Sequence, residues 1–159
     1  TNGESGIMIA PVPLEARFSK DPFNEGVIAQ WYLPEFNDKN WEMKNTYYLW
    51  DQQDEPLDAA GHDYDGYGWY RFWANIPSNM KEKSVHFYCG GVINEGWVWV
   101  NGEYAGHKSH ELWWNGKHDF DLDITKFVKY GTKNLITIRV WNSQEVGGLY
   151  RRGFVWSPK

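Results

Sequence analysis

Apolar residues in this chain recur at every second position rather than every third or fourth, and that period dictates strands half-buried in a sheet. In WYRFWANIP, one face carries Tyr70, Phe72, Ala74 and Ile76, the other Trp69, Arg71, Trp73 and Asn75, and Pro77 ends the strand. Val85, Phe87 and Cys89 share a face in SVHFYCG, as do Ile136, Ile138 and Val140 in NLITIRVW. GWVWVNGEYAG holds two strand-like halves joined by Asn101-Gly102, a dipeptide suited to a type I′ turn because both residues tolerate positive φ. Further strands are predicted at HDFDLDI and RGFVWS. Only DITKFVKYG has helical character, a single turn that Asp123 or Thr125 caps and Gly131 closes. Short strands, frequent turn signals and almost no amphipathic helix describe an all-β fold, an antiparallel jelly-roll β-sandwich of roughly eight strands with less than about 10% helix.

A chain of 159 residues fits one domain, 1–159, able to bury roughly two-thirds of the surface its unfolded form exposes. Aromatic residues reach 18%, with eleven Trp and ten Tyr, which points to a ring-rich core, a ligand-facing surface, or both. The net charge of -5, with no basic run longer than Arg151-Arg152, offers no footprint for a polyanion and argues against nucleic acid and anionic membrane as partners. The lone Cys89 cannot form an intramolecular disulfide and reads as a buried, inert thiol. The chain starts at Thr1 without a Met, signal peptide or transmembrane run, so it is expected to be a piece of something longer.

GYGWYRFWANIP, GGVINEGWVWVNGEYAGHKS, FDLDITKFVKYGTKNLITIRVWN and GGLYRRGFV occur in an order that resembles the jelly-roll, galactose-binding-like sugar-binding domains of family 2 glycoside hydrolases. IAQWYLPEFNDKNWEM is similar to the stretch where such modules place a tryptophan after an Asn/Asp-rich turn, and the resemblance covers about residues 26–156. It implies a fold, galactose-binding-domain-like, and carbohydrate recognition; in that family a separate barrel carries the two catalytic glutamates. It also implies a secreted or periplasmic setting and a catalytic domain of the parent polypeptide as partner. Independently of the family, Gly68 is expected to allow a bend into its strand and Gly106 a positive φ at a strand exit.

Three polar, aromatic loops are the site candidates. WDQQDEPLDAAGHDYDGYG holds Asp51, Asp54, Glu55, Asp58, Asp63 and Asp65 without Lys or Arg; it is expected to be a solvated acidic loop, a structural calcium being the lesser alternative, with Tyr64 and Tyr67 offering rings. HKSHELWWNGKHDF offers Trp113 or Trp114 as a flat platform for the C–H face of a pyranose, with His107, His110, Glu111, Asn115 and His118 at the hydroxyl rim. Neighbours in a strand point to opposite sides, so one indole is expected to be the platform and the other an anchor. The histidine spacing matches no zinc set, and no metal is expected there. In WNSQEVGGLYRR, Gln144 adds a polar group, while Arg151 or Arg152 either forks onto the carboxylate or sulfate of an acidic sugar or pairs with the acidic loop.

None of the six acids of the first loop sits in an apolar setting that would raise its pKa for general acid work, so no catalytic residue and no cofactor are assigned. The expected function is a noncatalytic carbohydrate-binding module that targets an attached glycan-degrading enzyme to an oligo- or polysaccharide. The alternative is an accessory jelly roll that braces a catalytic domain and binds no sugar alone.

Overall fold

A computed structural model describes residues 5–53 and 64–159. The strands are β1 (Gly6–Pro11), β2 (Glu15–Asp21), β3 (Glu42–Asn45), β4 (Gly66–Ile76), β5 (His86–Cys89), β6 (Val92–Ile93), β7 (Glu95–Val100), β8 (Glu103–Lys108), β9 (Phe120–Asp123), β10 (Thr132–Asn142), β11 (Gly148–Leu149) and β12 (Phe154–Pro158). They form a six-stranded sheet, β3-β2-β4-β10-β7-β8, packed on a four-stranded sheet, β1-β12-β5-β9, with a small β11-β6 pair at one end. Every pairing is antiparallel. There are more strands than alternation alone suggests, because pieces such as β6 and β11 are two residues long and too short to show a period. Helical structure among the described residues is limited to 3₁₀ turns at Trp50–Gln52, Ser78–Met80, Trp113–Asn115 and Thr125–Phe127.

The residues that alternate in sequence meet between the two sheets. Tyr70, Phe72, Ala74 and Ile76 of β4, Ile136, Ile138 and Val140 of β10, and Val85, Phe87 and Cys89 are all buried in one core with Phe18, Trp50 and Val155. Asn101 and Gly102, with φ of 52° and 85°, close the β7–β8 hairpin as the dipeptide requires. Thr125 donates from its amide and its hydroxyl to Asp123 Oδ1, which sets the turn after β9. Gly68 and Gly106 serve packing rather than bending: a Cβ on Gly68 would stand 2.8 Å from both Phe18 and Trp50, and one on Gly106 2.6 Å from Leu122.

The other face of the six-stranded sheet is left to solvent only in part. Trp69 and Arg71 point there and are 0% and 2% exposed, because residues 22–41 lie across them as a third layer. Asp21 opens that layer, its carboxylate accepting from Glu25 N, Gly26 N and Trp69 Nε1. Trp31 then meets Trp41 at 5.3 Å and Trp69 at 5.9 Å, both edge-on, and Tyr32 stacks on Trp99 at 5.1 Å. The Arg71 guanidinium donates to Asp38 Oδ2 and to the carbonyls of Trp31, Leu33 and Phe36, so one buried cation holds the layer's irregular backbone.

The sandwich has two distinct ends. One gathers residues 46–53, 64–65, 90–94, 109–119 and 143–153; the other holds the Asn101-Gly102 turn, residues 77–84 and 124–131, and the start of β1 beside the finish of β12, where Lys159 N donates to Ser5 O.

Cys89 packs in the core, its Sγ 3.6 Å from the Gly91 carbonyl, and burial pushes the thiol up to about 12 from the ordinary 9.0. The native chain is therefore expected to leave a thiol reagent unreacted at pH 8, with one thiol per chain appearing on denaturation. Because the unfolded thiol ionises first, this group's contribution to stability is complete below about pH 9 and is lost as pH rises through its folded value, which alkaline denaturation curves against Cys89→Ala would read.

Candidate functional site

The three loops singled out by composition share one end of the sandwich, and Asn94 is where two of them meet. Asn94 is fully buried at the β6–β7 junction, with its amide bonded to Trp141 O. Its backbone carbonyl accepts from Glu111 N and its Nδ2 donates to Glu111 O at 2.9 Å. Its Oδ1 accepts from Ser143 N at 2.9 Å and from Ser143 Oγ at 3.1 Å. One side chain thus ties the 109–118 loop to the 143–147 loop. His110 reinforces the seam through Nε2, 3.0 Å from Ser143 Oγ, beside exposed Gln144. On the far side of the 143–147 loop, Asn142 Nδ2 donates to Tyr64 O, Asp65 Oδ1 and Glu145 O, and Asp51 Oδ2 accepts from Gly147 N.

Trp113 and Trp114 are 43% and 57% exposed, with ring centroids 5.6 Å apart and planes nearly perpendicular. The expected division into one platform and one buried anchor does not occur. The segment is a 3₁₀ turn rather than a strand, closed by Asn115 N to Leu112 O and left-handed Gly116, and a tight turn can hold both rings outside. His118 does the anchoring: it is 1% exposed, with Nδ1 2.6 Å from the Tyr150 hydroxyl and Nε2 3.0 Å from the Leu112 carbonyl. Glu111 accepts from Asn115 Nδ2 at 2.7 Å, a bond that holds its exposed carboxyl below the usual range. Glu111, Asn115 and His110 therefore stand open around the indoles while His118 is committed to the scaffold.

Of the first loop only the rims, residues 50–53 and 64–68, are described. Asp54, Glu55, Asp58 and Asp63 lie outside the described residues. Tyr64 donates its hydroxyl to Tyr67 O at 2.6 Å and packs on Trp50, and burial pushes it up to about 12, so its oxygen serves the scaffold. Tyr67 leads onto a feature the sequence did not single out. Its half-buried ring meets Trp141 at 4.5 Å and, with Trp97, encloses the Arg139 guanidinium at 3.9 and 4.6 Å. Trp97 in turn stacks on His107 at 5.2 Å, and His107 Nε2 lies 2.5 Å from Glu95 Oε2. Tyr67, Trp141, Trp97 and His107 thus form an aromatic strip beside the loops, where residues 22–41 leave the sheet uncovered. The alternation of Trp97 and Trp99 against Val98 and Val100 was the available signal.

Arg151 lies over the Tyr150 ring at 4.8 Å, and its amide donates to Tyr47 O; Arg152 reaches Met8 Sδ at 3.8 Å. His107, His110 and His118 hold three different partners, and no group of three His, Cys, Asp or Glu among the described residues is arranged to hold a metal. No helix of the described residues is long and apolar enough to cross a membrane.

Residues 23–146 match the family described as the beta-galactosidase second all-beta domain. A beta-galactosidase of Thermoanaerobacter pseudethanolicus is 39% identical over 80 residues, 49% of this chain and 10% of that protein. A beta-glucuronidase of Paenibacillus borealis is 31% identical over 127 residues, 79% of this chain and 20% of that protein. The crystal structure of Ruminococcus gnavus beta-glucuronidase shares the fold, with a TM-score of 0.82 at 17% identity over 99% of this chain and 30% of that one. The matched part is thus a small share of each relative. From residues 23–146 and these relatives, the chain belongs to the beta-galactosidase second all-beta domain family, an all-β domain of family 2 glycoside hydrolases.

Proposed function

We propose that this domain is a noncatalytic carbohydrate-binding module of a larger secreted or periplasmic glycoside hydrolase, holding oligo- or polysaccharide at its loop end while an attached catalytic domain acts on it. The observation that carries the reading is the pair of open indoles, Trp113 and Trp114, on a loop fixed from beneath by buried Asn94 and His118. Exposed rings on a preorganised loop lose little entropy when a pyranose stacks on them. His110, Glu111, Asn115 and Gln144 supply hydroxyl partners. An open platform with few hydrogen bonds gives weak binding, with Kd from about 10 μM to 1 mM.

Calorimetry on the chain and on Trp113→Ala, Trp114→Ala and the double variant, against glycans returned by an array, tests the reading. The double variant is expected to weaken binding roughly thirtyfold, about 2 kcal/mol, with little change in Tm because neither indole is buried. A second reading, that the domain braces a neighbouring catalytic domain, draws support from the same exposed indoles, since rings that cover a partner stand open in the separated piece. It is the outcome if no glycan binds the chain and the double variant behaves as the parent.

Neither reading includes a metal. Excess EDTA is expected to leave Tm unchanged; a drop of several degrees that Ca²⁺ reverses would show a structural ion.

A further inference from the structure

The outward face of the four-stranded sheet carries rings where an exposed antiparallel face ordinarily carries polar side chains. Strand register sets Phe154 opposite Tyr88 and Trp156 opposite His86. Tyr88 and Phe154 lie 5.1 Å apart, and His86 and Trp156 5.6 Å apart. With Ser5, the rings of Tyr88, Phe154 and Trp156 line an open groove of about 540 Å³. One flank of the groove is a row of carboxylates fixed by the rings themselves. Asp121 Oδ1 accepts from Trp156 Nε1 at 2.7 Å, Asp121 Oδ2 lies 2.5 Å from His86 Nδ1, and Asp119 Oδ2 accepts from the Tyr88 hydroxyl at 3.1 Å. Asp123 continues the row, its Oδ2 3.9 Å from His86 Nε2.

We propose that this groove is a second saccharide-binding site, selective for neutral hexose chains over uronate polymers and independent of the loop end. The floor suits the C–H face of a pyranose. Successive ring positions along a strand are about 6.6 Å apart, a spacing on the scale of one sugar unit. Each carboxylate oxygen has two lone pairs, so Asp119 and Asp121 can accept sugar hydroxyls while keeping the bonds that orient them. Three aspartates on one flank repel a uronate carboxylate, which sets the class of sugar. The rings are half-buried and make a floor, not the protruding anchors by which proteins dock.

Affinity electrophoresis in native gels containing galactomannan, xyloglucan or hydroxyethyl cellulose, with polygalacturonate as the charged counterpart, tests the site. At least one neutral polymer is expected to retard the chain, and polygalacturonate is not. Trp156→Ala and Tyr88→Ala are each expected to raise the apparent Kd about tenfold, whereas the Trp113→Ala/Trp114→Ala variant keeps the groove-dependent retardation. Asp119→Asn changes one exposed side chain without threatening the fold and is expected to weaken retardation about threefold. The site is overturned if none of the three neutral polymers retards the chain, or if retardation survives both ring substitutions in protein that melts normally. It is equally overturned if Asp119→Asn changes nothing, if retardation vanishes only in the Trp113→Ala/Trp114→Ala variant, or if polygalacturonate binds as well as the neutral polymers. Light scattering that shows a dimer of the parent chain, abolished by Trp156→Ala, would make a second copy the occupant and also overturn it.

Discussion

Arg71→Met is expected to destabilise the fold by about 3–5 kcal/mol, although Met fills much of the same space. Arg71 is 2% exposed, and its removal takes the guanidinium donor from Asp38 Oδ2 and from the carbonyls of Trp31 and Phe36, while the Leu33 carbonyl keeps the Phe36 amide. A buried acceptor that loses its partner bears its full desolvation cost, which is larger than the net worth of the bond it made. Arg71→Lys should recover little, because an ammonium lacks the fork that reaches a carboxylate and separate carbonyls together. Denaturant unfolding followed by tryptophan fluorescence is the measurement, since Trp31, Trp41 and Trp69 surround the site. A loss below about 1 kcal/mol would mean that ring packing alone holds residues 22–41 on the sheet.

Asn94→Ala carries the second large effect, about 2–3 kcal/mol of stability together with loss of binding at the loop end. The substitution removes the acceptor of Ser143 N and Oγ and the donor to Glu111 O from a position that is 0% exposed. It touches neither Trp113 nor Trp114. Weakened glycan binding of tenfold or more in protein still folded at the assay temperature would show that the platform depends on its tether. Asn94→Asp separates the two roles: it keeps the acceptor for Ser143 while setting a carboxylate against the Glu111 carbonyl, so it should release the 109–118 loop first. Unchanged affinity in both variants would show that the indoles need no seam beneath them.

Much of the sandwich was legible because a period of two reports which side chains meet between sheets, and the Tyr70–Ile76 and Ile136–Val140 faces follow from it directly. The same period says nothing about what lies beyond a sheet. Trp69 and Arg71 are buried by a segment with no periodicity, held through bonds that span 33 to 40 residues. The loops stood out as site candidates by their rings and polarity, but the division of labour within them was not legible. His118 and Tyr64 looked as available as Glu111 and Asn115; partners at Tyr150, Leu112 and Tyr67 commit them to the scaffold. Asn94 stood unremarked in INEGW because its importance comes from Ser143, 49 residues away.

The hydrogen bond from Lys159 N to Ser5 O, 3.2 Å long, makes residues 5 and 159 neighbours. A polypeptide can therefore enter and leave the sandwich at a single point, so grafting the domain into a surface loop of another protein should stretch neither partner. It also fixes a direction. Trp113 and Trp114 stand at the end of the sandwich away from that point, and the length of β12 separates the two ends. A carrier joined at that point would hold the domain by its base, with the indoles at the far end, like the head of a probe on its stem.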